Sequence, residues 1–139
     1  METRGFHHPE TRSEVREIYE ELGPVAESVI KEAARAMNFD REEFRDRLSE
    51  SVFETARDAL FASLLEVHVG NSEAFDTWRS SHPDLDVHLE GSEHVDGRAW
   101  HPVPVRDEVA AVTFQNEPDA AVSTVRRMAF GRFYADLLD

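Results

Sequence analysis

The sequence predicts an α+β fold: N-terminal helices, a small antiparallel β-meander of three to four strands, and a long C-terminal helix packed on it. Three observations predict it. Apolar residues recur at helical spacing from Val15 to Leu64, the period drops to two at Leu65, and helical spacing returns after Pro118. Helices grouped on both sides of a run of strands indicate α+β rather than alternating βαβ units.

Residues 1–9 carry no apolar pattern and are expected to fray. Val15, Ile18, Tyr19 and Leu22 then share one helical face, with Glu14, Glu17, Glu20 and Glu21 on the others. Gly23-Pro24 is expected to end this helix and begin a second, since glycine suits a C-terminal cap and proline a first turn. Ala26, Val29, Ile30, Ala33 and Met37 make the second stripe, so the two helices are expected to pack as an antiparallel pair. The third start is marked most strongly. Asp40 can cap while Glu43 reaches back to its amide, with Phe39 and Phe44 placed for a hydrophobic staple. Ser51 and Glu54 offer a second capping box, leaving residues 41–65 as one helix or as two broken near Ser49. Val52, Phe53, Ala56, Leu60 and Leu64 face inward either way.

Leu65, Val67 and Val69 alternate with Glu66 and His68, a half-buried strand stopped by Gly70. A short helix over residues 72–81 presents Phe75 and Trp78 and cannot pass Pro83. Strand-like runs follow at residues 85–90, 98–104 and 109–115. A glycine-framed loop at 91–97 and a turn at Arg106-Asp107 separate them, which predicts an antiparallel meander. Asn116-Glu117-Pro118 opens the terminal helix, whose main stripe is Val122, Val125, Ala129, Phe133 and Leu137.

At 139 residues the chain is expected to form one domain, 1–139, able to bury a core without disulfides. It has no cysteine, which excludes thiolate nucleophiles, Cys-ligated metals and disulfide frameworks. No signal-like apolar run and no membrane-length segment appears, so a cytoplasmic protein without a membrane partner is expected. The net charge is −14, and Lys31 is the only lysine among 15 basic residues. Arginine is weakly hydrated and pairs with carboxylates through a bidentate fork, unlike the strongly hydrated lysine ammonium. In molar salt the Debye length shrinks to about 3 Å, so such an acidic surface tolerates its own repulsion. A halophilic protein of a high-salt cytosol is the reading. The same charge argues against a nucleic-acid partner, which requires a basic footprint.

Of seven histidines, three lie on predicted strands: His68, His88 and His101. Asp86, His88 and Glu90 share a strand face, and Glu66 and His68 share another. Ligands at i and i+2, completed from a neighbouring strand, can hold a catalytic-type metal ion with an open position. The same pattern also describes a plainly solvated sheet face. The loop at 91–97 holds Ser92, Glu93, His94 and Asp96 without fixing their geometry, and Trp100 beside Pro102 belongs either to the core or to a sheet-edge contact. No nucleophile elbow, P-loop or dinucleotide fingerprint occurs, so no cofactor and no catalytic residue is predicted. Beside the main stripe of the terminal helix runs a second apolar row, Phe130, Tyr134 and Leu138, among Arg126, Arg127 and Arg132. Aromatics with arginine suit an interface, and equally a helix buried on two sides of its own fold.

Residues 54–67, Val95-Asp96, residues 99–104, and Asn116 to Val122 running into Arg126-Arg127 and residues 130–134 resemble a small haloarchaeal family known only as a domain of unknown function. The resemblance spans nearly the whole chain. It implies the lineage and a single-domain extent, and it brings no activity, ligand or catalytic residue. The functional expectation is a non-enzymatic interaction or regulatory module, homodimeric through Arg126, Arg127, Phe130, Tyr134 and Leu138. The alternative is a small metal-dependent hydrolase or metal-binding protein using the strand histidines. The third is an RNA contact through the terminal-helix arginines.

Overall fold

Five strands form one mixed sheet in the computed structural model, which describes residues 1–43 and 49–138. They are β1 (Glu2–Arg4), β2 (Val67–Asn71), β3 (Asp86–Glu90), β4 (Gly97–Val103) and β5 (Glu108–Phe114). The helices are α1 (Arg12–Ala36), α2 (Glu50–Ser63), α3 (Ser72–Ser80) and α4 (Pro118–Ala129). The strand order is β1-β2-β4-β5-β3, antiparallel throughout except for the parallel β5/β3 pair. The α+β class and the terminal helix are as the sequence predicts.

Strict alternation divides the sheet into two faces. On one, Val67, Val69, Ala99, Val103, Ala110 and Val112 meet Val122, Val125, Ala129 and Phe133, with Phe61 from α2 and Val15 and Leu22 from α1. Burial of each such large side chain contributes about 1.5–3 kcal/mol, so this layer dominates stability. On the other face Trp100, Val109 and Ala111 pack with Phe75 of α3, and Trp78, Leu85, Val87 and Leu89 are only partly covered.

Four expectations are corrected. The first concerns Gly23-Pro24, which does not separate two helices: α1 runs unbroken from Arg12 to Ala36 with Pro24 inside it. Leu22 and Ala26, on either side of the proline, are both buried. Arg57 of α2 donates to the Tyr19 carbonyl at 2.7 Å and sits 4.0 Å over its ring, so packing against α2 overrides the local break.

The second concerns the N-terminus, which is a strand rather than a frayed end. Glu2, Thr3 and Arg4 pair with Val69, His68 and Val67, and the Phe6 and His7 amides donate to the Leu64 carbonyl. Arg126 ties this segment to its neighbour, donating from Nη2 to the Arg4 carbonyl at 3.4 Å and from Nε to the Leu65 carbonyl at 2.9 Å. Gly5 adopts φ +105, where a Cβ would stand 2.4 Å from the Leu65 oxygen.

Third, the meander fails at β3. The chain leaves β3, crosses the end of β5 and returns on its far side as β4, so β3 lies parallel to β5 at the sheet edge. Gly91, at φ +102, makes the crossing possible: a Cβ there would lie 2.2 Å from the Thr113 hydroxyl. The loop that follows is held by Arg98, whose guanidinium donates to the Gly97 and Glu93 carbonyls, and by Asp96, which accepts from the Ser72 hydroxyl at 2.8 Å.

Last, Ser51 is not a helix cap. Ser49 takes the N-cap position of α2, so a helix begins there. Asp40 does accept from the Glu43 amide at 2.8 Å, while Phe44 and the staple it would form lie outside the described residues.

Candidate metal centre

The three strand histidines do not converge; each occupies a different environment. His101 is fully buried under the terminal helix. Its Nδ1 lies 2.5 Å from the Glu66 carbonyl and its Nε2 lies 2.6 Å from the Tyr134 hydroxyl. A carbonyl can only accept, so Nδ1 carries the proton, and the neutral ring accepts from the tyrosine through Nε2. Burial pushes the imidazole pKa down to about 4, against 6.5 ordinarily, and pushes the Tyr134 phenol up. Both nitrogens of His101 are thereby spent on structure.

His68 points to the opposite face, with its ring 5.5 Å from Trp100 and 6.0 Å from Trp78. Its Nδ1 lies 3.3 Å from the Thr3 hydroxyl, and burial lowers its pKa.

His88 stands on β3 at the edge of the sheet. Alternation puts Asp86, His88 and Glu90 on one face of that strand, and the parallel register sets Asp86 beside Glu108 and His88 beside Ala110. The Glu108 carboxylate hydrogen-bonds His88 Nε2, and the Asp86 carboxylate lies 3.6 Å from the same nitrogen. One ligand atom from each of Asp86, His88 and Glu108 falls within 4.8 Å of the others, the one such cluster among the described residues. Glu108 and His88 are half-buried, Asp86 is exposed, and Phe133 backs the imidazole at 5.4 Å. Glu90, though on the same face, is turned away into an ion pair with Arg132.

One imidazole and two carboxylates form a borderline-to-hard ligand set, suited to Zn²⁺ or Mn²⁺ with positions left for water. A cation here would take the place of the hydrogen that His88 Nε2 donates to the Glu108 carboxylate, and ligation through Nε2 leaves the imidazole proton on Nδ1. The i, i+2 spacing on β3 marks Asp86 and His88. Glu108 escapes sequence reasoning because a local meander puts β4, not β5, beside β3.

The row chosen for an interface turns inward. After Ala129 the terminal helix widens into a π-turn, residues 130–134, which carries Tyr134 over His101 and Phe133 over His88. Tyr134 is fully buried, and Phe61 of α2 packs edge-on against both Phe130 and Tyr134, at 5.7 and 5.4 Å. Leu138 is half-buried in the same cluster. Arg126 is engaged with the N-terminal segment, and Arg127 is exposed. A helix apolar on two sides is here sandwiched within its own fold.

No helix among the described residues is long and apolar enough to cross a membrane. No curated protein and no solved structure matches the chain. A family model does match residues 6–135, nearly its whole length, and the protein belongs to that family of unknown function, DUF5809.

Proposed function

We propose that this protein binds a divalent cation through Asp86, His88 and Glu108, as a metal-binding protein and not as a dimer built on its terminal helix. The observation that carries the reading is the meeting of three ligand atoms within 4.8 Å, drawn from two strands whose register is fixed by backbone pairing. Three protein ligands on an open edge leave coordination positions for water, the arrangement from which metal-assisted hydrolysis starts. Metal binding is the part the ligand set supports directly. Against a dimer on the second row we set the packing of Phe61 on Phe130 and Tyr134. The RNA reading rested on arginines of which Arg126 is held by backbone carbonyls and Arg132 by Glu90.

Calorimetric titration of chelator-treated protein with Zn²⁺ and Mn²⁺ tests the proposal. About one equivalent of saturable binding is expected for one of them, and His88→Ala should abolish it. Absence of saturable binding, or unchanged binding in His88→Ala, overturns it.

The setting we propose is a high-salt cytosol and a haloarchaeal lineage, supported by the −14 charge and the near-absence of lysine. Thermal melts should then rise from about 0.1 M to molar KCl as repulsion is screened. Equal melts in both would return the acidity to the list of functional clues.

A further inference from the structure

On the face opposite His88 and His101, five segments converge on a cleft of about 260 Å³, lined by His8, Glu10, Glu66, His68, Trp78, His82, Leu85, Pro102 and Pro104. Alternation places His68 of β2 on this face, with Glu66, just before that strand, beside it in the lining. The helix α3 supplies Trp78, and the segment after it supplies His82, whose ring stacks on the indole at 4.1 Å. His82 Nδ1 donates to the Trp78 carbonyl at 2.8 Å, which holds the ring on the indole.

The polar groups of this cleft are mostly acceptors. Two carboxylates accept only, and the His68 ring, its pKa lowered by burial, is neutral at pH 7 with one accepting nitrogen. Neither arginine nor lysine lines it. The remaining wall is aromatic and aliphatic: Trp78, Leu85, Pro102 and Pro104. Such a lining complements a ligand that is cationic and donor-rich at one end and apolar at the other. The volume falls just under the roughly 300–1,000 Å³ of clefts that take drug-sized molecules, which suits a smaller one.

We infer that this cleft binds a small organic cation, an alkylammonium or similar amine, with its charged end on Glu66 and Glu10 and its apolar part against the Trp78 wall. Glu66 is the pivotal group. Its backbone is fixed at the entrance to β2, the amide donating to the His7 carbonyl at 2.8 Å and the carbonyl accepting from His101. The inference is independent of the metal site, which lies on the other face of the sheet.

Both tryptophans of the chain report on this region, since Trp100 packs 5.9 Å from Trp78. Titrating the whole protein with n-butylammonium should give a saturable change in tryptophan emission. Butyrate, which has a comparable apolar chain and the opposite charge, should give none. Glu66→Gln, which keeps the backbone carbonyl that His101 uses, should weaken butylammonium binding by about 10-fold, the loss of one close charge pair. Glu10→Gln serves as a second variant should Glu66→Gln fail to fold. The inference is overturned if butylammonium gives no saturable change, if butyrate binds as well, or if neither substitution weakens binding. It is likewise overturned if a lysine-bearing peptide binds and butylammonium does not, because the cleft would then be reading a polypeptide.

Discussion

His101 and His88 stand on one row of the sheet, on the same face and on either side of Ala110, yet they have opposite chemistry. His101 lies under Tyr134 with no exposure, and both its nitrogens are satisfied within the fold. His88, at the edge, faces two carboxylates across a boundary that water and ions can reach. The π-turn of the terminal helix sets an aromatic ring over each. The hydroxyl of Tyr134 closes the first site, and the bare ring of Phe133 leaves the second open. What a histidine can do is thus set here by its cover, and the strand pattern alone says nothing of that cover.

Acid should break the comparison most strongly. With a folded pKa of about 4 against 6.5 ordinarily, His101 binds its proton more readily in the unfolded chain. Its contribution is therefore fully present above pH 6.5 and is lost as pH falls toward 4, amounting to about 2–3 kcal/mol by pH 4.5. Urea unfolding of wild type and His101→Leu at pH 7 and pH 4.5 isolates it, because the carboxylates titrate alike in both. The wild type should lose that much more than the variant, and equal losses would mean that His101 is not held neutral. Next in size is Tyr134→Phe. It leaves the buried His101 Nε2 without a donor and should cost about 1–3 kcal/mol in the same denaturation, without changing metal binding at the edge.

The sheet was readable in the sequence as far as local pattern reaches. Alternation at Leu65 to Val69 and the proline-opened terminal helix are local signals, and both elements formed. The partnership of β3 with β5 is not local: it depends on a crossover past Thr113 that Gly91 permits, and no pattern within residues 85–90 encodes it. For the same reason two of the three candidate metal ligands were visible, Asp86 and His88 by spacing, and Glu108 was not. The strand at Glu2–Arg4 was invisible because its pairing is backbone to backbone and asks nothing of side-chain polarity. The second row of the terminal helix was correctly read as apolar. Whether a partner or Phe61 covers such a row depends on where α2 lies, and α1 crosses Pro24 to pack there.

The smallest effect on folding should come from the change that matters most for the proposed function. Glu108→Gln removes a carboxylate that is partly exposed at a sheet edge, and ion pairs in such places contribute at most about 1 kcal/mol. The glutamine retains an oxygen that can accept from His88, so the strand pair and the ring position should persist. A neutral amide is nevertheless a much poorer ligand for Zn²⁺ or Mn²⁺ than a carboxylate, and affinity should fall by at least about 10-fold. Denaturation and calorimetric titration of this one variant set the two histidines against each other. Stability close to wild type with binding lost marks His88 and its carboxylates as a site free of structural duty. A stability loss as large as that of Tyr134→Phe, with binding retained, would make the edge cluster a second structural lock, and the contrast along the row would vanish.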